Sequence, residues 1–449
     1  MVTNSILDRI KAASKIESNL QQKFGLKINP FPKSGIANIS DSENVVGSLA
    51  PAYDDVTKEV VNYMMDALSK GGINQNDKYI SLVVRGEYGS GKTQLLMYMK
   101  YLFGLLDSDN FHPYVIYIDN PGLTISELIG NVVSQIGVEN FRRYLWDTYT
   151  SFLDGKNDGD SETRKTILVS HINSKLPQDR LSLFKDFNEI DWSQAIASYK
   201  KLMDDIIVHT SKIQQKEITE IIKNSMNDCF LSEFQHATVA EYFYNIVSEN
   251  VSMLKSWGAL IEGSVKNMDK RAVYILNAIV KITKNYLNRS DFIILVDEFE
   301  EIATGRLKDS DLDNYLRNLR ALIDKEKQWC SVFAMTGLAF DKIKQVSPPL
   351  ASRIGDRVVD LRPFDFVAFK KVVINYLNLA RESPSESIYP FTDEALQEML
   401  NTRNNLLKGS PRFLLRYCYL LLQRAADDLA DNQLIDVNFV KKYMSDVLL

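Results

Sequence analysis

Cysteine, histidine and long apolar runs are scarce in this sequence, and each shortage excludes a class of protein. Three cysteines occur, Cys229, Cys330 and Cys418, far apart and with no CxxC pair. That distribution argues against a disulfide framework or a zinc site and suits a reducing, cytoplasmic setting. The four histidines, His112, His171, His209 and His236, show no metal-ligand spacing and read as surface or core residues. No apolar run approaches the roughly 20 residues that cross a bilayer, and the opening MVTNSILDRIKAAS lacks the apolar centre of a signal peptide. No membrane association is therefore expected. A basic excess is missing as well. The net charge of −5 excludes a globally basic nucleic-acid binder but leaves room for a local basic stripe.

What is present is an ordinary globular composition, 45% hydrophobic and 25% charged, over 449 residues. A chain of that length exceeds one core, so two or three domains are expected. Residues 1–24 have an amphipathic helical pattern, and GLKINPFPKSGIANISDSENVVGS then reads as an extended linker. DDVTKEVVNYMMDALSK (54–70) has helical spacing and stops at Gly71-Gly72. The strand YISLVVR, a glycine turn, the helix TQLLMYMKYLFGLL and the strand YVIYIDN follow, an order that makes a βαβ unit and a parallel sheet. After ISELIGNVVSQIG, residues from about 140 to 288 are helical in pattern, broken by an exposed loop at LDGKNDGDSETR. Within them RAVYILNAIVKITKNYL repeats apolar residues at 272, 275, 276, 279, 282 and 286, a core-packing stripe. Strands resume at DFIILVD (291–297), WCSVFAMTG (329–337) and RVVDLRPF, and everything from about 365 is helical.

The glycine turn is Gly86-Glu87-Tyr88-Gly89-Ser90-Gly91-Lys92-Thr93, followed by Gln94, a complete G-x-x-x-x-G-K-[ST] pattern. Glycine turns also link strands to helices in proteins that bind nothing. Here the strand before and the helix after supply the context in which such a turn cradles phosphate. Glycines let backbone N–H groups converge without Cβ clashes, and the helix adds its positive end. Lys92 would reach the β- and γ-phosphates, and Thr93 would coordinate Mg²⁺. A nucleotide hydrolase also needs an acid at the end of a neighbouring strand, and IILVDEFEE supplies it. Asp297 would hold the metal, and Glu298 would orient or deprotonate the attacking water. A buried strand with a charged end is the plainer reading of IILVDEFEE alone; the phosphate loop tips the balance.

Asp-Glu in this setting resembles the AAA+ ATPases, and ATP is implied by that resemblance because the loop itself reads phosphates and not bases. The resemblance implies three further roles. Thr336, ending SVFAMT, matches the polar sensor of the γ-phosphate. Arg353, in LASRIGDR, matches the arginine reaching into a neighbouring subunit, although Arg357 or Arg362 could take that role. Arg412, in KGSPRFLLRY, matches the sensor arginine of the lid, in a Gly-x-Pro-Arg form typical of the origin-recognition and Cdc6-like ATPases. Asn-Pro-Phe in the linker also has a counterpart there. The wording VVRGEYGSGKTQLL, with LRNLRALID, is similar to ATPases of bacterial anti-phage (BREX-type) systems.

The expected architecture is an α/β P-loop NTPase, AAA+-like, with a parallel sheet. An N-terminal helix and linker (1–50) precede a nucleotide-binding core (51–364), which carries the helical insertion (about 140–288). A helical lid (365–449) completes it. The stretch between Thr93 and Asp297 is far longer than a minimal core needs, and its insertion reads as a scaffold for a protein partner or a subunit interface. Its lysines (Lys200, Lys201, Lys212, Lys216, Lys281, Lys284) sit among many acids, as on a solvated helix face, which leaves non-specific DNA contact as the lesser reading. The sequence stops after the lid without a winged helix, so sequence-specific DNA binding is not expected. Two functions fit: an oligomerising ATP-driven motor or switch on DNA-associated machinery, in genome (antiviral) defence or replication, or a slow ATPase scaffold that gates a partner protein.

Overall fold

The computed structural model describes residues 16–35, 49–69, 79–107, 111–155, 161–175, 199–207, 210–248, 253–261, 268–287, 289–303, 307–325, 328–401 and 408–443. Five strands build one parallel sheet: β1 (Ile80–Gly86), β2 (Pro113–Ile118), β3 (Asp291–Val296), β4 (Trp329–Met335) and β5 (Val358–Leu361). Their spatial order is β2-β3-β4-β1-β5. Strands covered on both faces are expected to be mostly apolar, and β3 and β4 are buried at every position, with Asp291 and Ser331 their polar members. The two-residue period sorts their side chains. Phe292, Ile294 and Val296 enter one core, and Ile293 and Leu295 enter the other.

Helices α1 (Asp54–Ser69) and α2 (Lys92–Leu105) cover the second of these faces. On the first lies α3 (Ile125–Ile136), whose Thr124 side chain caps the Glu127 N–H. The insertion continues from it as α4 (Val138–Leu153), α5 (Ser161–Asn173), α6 (Tyr199–Ile207), α7 (Lys212–Phe234), α8 (Ala237–Val247), α9 (Met253–Ile261) and α10 (Met268–Lys281). Its apolar residues belong to one continuous cluster with the sheet face beneath, so the insertion and the sheet share a core. Two local expectations shift. Of LDGKNDGDSETR, Ser161 to Arg164 begin α5, while 156–160 lie outside the described residues. Helix α10 does not run regularly to 287: Ile282–Tyr286 form a π-helical turn, closed by the Leu287 N–H on the Ile282 carbonyl. The stripe Ala272, Ile275, Leu276, Ile279 and Ile282 is buried as its spacing requires.

After β3 come α11 (Glu300–Ala303), α12 (Asp309–Lys325), α13 (Gly337–Val346) and α14 (Pro348–Ile354). The last unit is helical, with α15 (Phe366–Ala380), α16 (Asp393–Leu400), α17 (Pro411–Asp428) and α18 (Val437–Tyr443) around its own core. That core takes in Leu20, Phe24, Leu26, Phe31 and Leu49, so the N-terminal segment is built into the lid. Asn29 donates to the Tyr419 carbonyl at 3.0 Å, and Phe31 stacks on Tyr376 at 5.5 Å. The glycine turn joins β1 to α2 at the carboxyl edge of the sheet. The whole is an α/β fold: a five-stranded parallel sheet with a large helical insertion on one face and a C-terminal helical unit. Among the described residues no helix is long and apolar enough to cross a membrane.

Candidate functional site

The turn after β1 takes backbone conformations that side chains resist. Gly89 has φ +77° and Gly91, which caps α2, has φ +97°. A Cβ on Gly89 would lie 2.9 Å from the Cβ of Arg412, so the lid is pressed directly against the loop. The Arg412 N–H donates to the Gly89 carbonyl at 3.2 Å. Within the loop the Ser90 hydroxyl is buried and has no hydrogen-bond partner among the described residues.

Lys92, at the start of α2, is buried, and its ammonium stands 2.9 Å from the Gly86 carbonyl and 3.2 Å from Glu300 Oε1. Thr93 donates through Oγ1 to Asp297 Oδ2 at 2.6 Å. Tyr117, on β2, donates to that same oxygen at 3.0 Å, and the Glu298 N–H donates to Oδ1 at 2.9 Å. Burial first, then the Asp297 charge, drives the Tyr117 phenol far up, so it remains a donor. Asp297 is thereby oriented from three sides.

Glu298 is exposed and holds φ +48°, left-handed without being glycine. Such a backbone costs of order 1–3 kcal/mol and marks sites where the surroundings impose a geometry. Here the Asp297 carboxylate grips its N–H, and its own carbonyl accepts from the Glu301 N–H at 2.9 Å. Although Glu298 is solvent-exposed as a whole, partial desolvation of its carboxyl raises it above its ordinary value, and the charges of Asp297, Glu301, Glu300 and Asp119 raise it further. That shift increases basicity, as a proton acceptor needs. Glu300 is likewise raised by burial, against the pull of Lys92.

Of the remaining expected residues, Thr336 ends β4, is buried, and caps α13 by accepting from the Ala339 N–H at 3.2 Å. Arg412 lies in the first turn of α17, on the loop. Arg353 is elsewhere: its carbonyl accepts from Ser81 at the beginning of β1, and its side chain pairs with Asp324 at 2.6 Å. That is the sheet edge opposite the loop, so the chain does not bring Arg353 to its own phosphate cradle. Arg357 pairs with Asp66. Arg362 pairs with Asp55 at 3.3 Å and covers the Tyr53 ring at 4.1 Å.

A cavity opens between the loop, α1 and the lid, lined in part by Tyr53, Gly89, Gln94, Tyr376 and Arg412. The donor set also fits a hard divalent cation: one hydroxyl and one carboxylate, both oxygen, converge at Thr93 and Asp297. Among the described residues no group of three or more His, Cys, Asp or Glu side chains could hold a metal alone. A cation here would need phosphate oxygens to complete its shell, the usual manner of Mg²⁺. Glu300, Tyr117 and Tyr376 were not anticipated from sequence. The run DEFEE held a signal for Glu300, whereas nothing in YVIYIDN told which strand Tyr117 would face.

No protein-family model matches the chain, and no curated protein matches it by sequence. Among solved structures it is similar to the ORC2 protein of Aeropyrum pernix. Against the ADPNP-ADP complexes the identity is 12% and the TM-score 0.46, covering 91% of this chain and 72% of that one. Against the ADP form the identity is 11% and the TM-score 0.44, covering 90% and 73%.

Proposed function

We propose that the chain binds ATP with Mg²⁺ and hydrolyses it, as an AAA+ protein akin to the origin-recognition and Cdc6-like ATPases. The observation that carries this reading is the 2.6 Å hydrogen bond from Thr93 to Asp297. Two residues 204 positions apart, each expected to hold the same cation, meet at one point. The backbone N–H groups of the loop and Lys92 would bind the phosphates, and the cavity between Tyr53 and Tyr376 would take the base. Bound Mg²⁺ would supply charge neutralisation at the β- and γ-phosphates. Glu298 would orient the attacking water and accept its proton on the carboxylate. Thr336 and Arg412 would register the γ-phosphate, and the lid contact at Gly89 would move with it.

The same reading extends to an oligomer, in which Arg353, placed away from its own loop, serves a neighbour's site after leaving Asp324. The machinery acted on would be DNA-associated, in replication or in genome defence of the BREX type, with non-specific DNA as a ligand. A second reading, a slow ATPase scaffold that gates a partner protein, is favoured by the continuous core of insertion and sheet: a change at β3 would be felt in the insertion. Steady-state ATP hydrolysis with and without duplex DNA at low salt separates the two. Strong stimulation by DNA supports the motor; slow turnover indifferent to DNA supports the scaffold; no hydrolysis at all contradicts both.

A further inference from the structure

The phosphate-loop lysine is held by protein groups on more than one side. Lys92 is 8% exposed and Glu300 2% exposed, and their charged atoms are 3.2 Å apart. The ammonium also reaches the Gly86 and Glu87 carbonyls, at 2.9 and 3.5 Å. A nucleotide's β- and γ-phosphates would need the same ammonium. One buried cation would then face two anions, and a buried charge that loses its partner is strongly disfavoured.

Glu300 is not placed to yield. The residue before it, Phe299, donates its N–H to the Ala334 carbonyl of β4 at 3.0 Å. The Phe299 ring is fully buried, packed on Phe333 at 4.7 Å and on Tyr315 at 6.3 Å. The acidic turn is thus fastened to the core from both β4 and α12. Lys92, on a long flexible stem, is the member of the pair that can move.

From this geometry we propose that Glu300 is a positioning residue that restrains Lys92 within the loop and competes with nucleotide phosphates for it. The proposal rests on the nucleotide-binding reading of the site. Its consequence is that Glu300 lowers nucleotide affinity, the reverse of what a supporting residue does.

Calorimetric titration of the full chain with ADP, in the presence of EDTA, tests this without the metal ligands. Glu300→Gln keeps the shape and removes the charge. It is expected to bind ADP about ten-fold more tightly, the low end of what removing a close like charge from a site does. Glu300→Asp, which keeps the charge, should bind close to wild type. Glu301→Gln, which removes a neighbouring charge, should change affinity far less than Glu300→Gln. If Glu300→Gln does not fold, Glu300→Ala tests the same direction. Equal or weaker ADP binding by a folded neutral variant, beside a wild type that binds, overturns the role of Glu300 alone. A wild type that binds neither ADP nor ATP overturns the nucleotide reading beneath it.

Discussion

The Tyr117 hydroxyl and the Thr93 hydroxyl donate to one and the same oxygen, Asp297 Oδ2, from β2 and α2 respectively. Thr93 is expected to turn to the cation, and Tyr117 is left to aim the carboxylate. Tyr117→Phe keeps the buried ring and removes only the donor. Outer partners of metal ligands are typically worth about 10–100-fold in metal affinity. The Mg²⁺ concentration for half-maximal hydrolysis should therefore rise by about ten-fold, and Mn²⁺ binding in the presence of nucleotide, followed by electron spin resonance, should weaken in parallel.

Glu298 and Lys92 should separate binding from chemistry. Glu298→Gln should retain ATP while hydrolysis falls by roughly a hundred- to ten-thousand-fold, the usual contribution of a positioned base. Single-turnover hydrolysis of radiolabelled ATP measures this, and normal turnover by Glu298→Gln would move the water-orienting role elsewhere.

Gly35 tests how the N-terminal segment is held. It sits at φ +67° against α17, where a Cβ would collide with the Arg412 carbonyl oxygen. Gly35→Ala should cost about 1–2 kcal/mol from the left-handed backbone alone, with the collision adding to it. Because Arg412 also contacts Gly89, the loss should appear twice, as a lower thermal midpoint and as weaker nucleotide binding.

His236 gives the fold a pH dependence away from the site. Its neutral ring caps α8, accepting from the Val239 N–H at 3.4 Å. Burial lowers its pKa below the ordinary 6.5, helped by the charges of Arg271 and Lys325. The folded chain thus holds this proton less tightly than the unfolded chain. The stabilisation is complete above pH 6.5 and is lost as pH falls through 6.5 towards the lower folded value. His236→Asn keeps a capping side chain without titrating. Between about pH 7.5 and about pH 5.5 the wild type should lose more thermal stability than His236→Asn. Equal losses would remove His236 from the account.

How much of this was legible depended on how local each signal is. The phosphate loop is eight consecutive residues whose chemistry and backbone need can be read together, and β1 and α2 flank it as required. The largely apolar runs of β3 and β4 likewise announced strands. Pairing across distance was not legible. Asn29 lies 390 positions from its partner Tyr419, and nothing nearby in sequence told that the linker would seat in the lid. Glu300 belongs to an acidic run at the end of a strand, and only the fold carries it to Lys92. The π-helical turn at Ile282–Tyr286 was hidden because the apolar stripe continues through it with helical spacing.

The most direct measurement is equilibrium binding of ATP with Mg²⁺ to the wild type and to Lys92→Ala, by calorimetry on the full chain. Saturable binding by the wild type that is abolished in a folded Lys92→Ala is the predicted result. A wild type that does not bind ATP, or a Lys92→Ala variant that binds it equally well, would contradict the assignment of the loop.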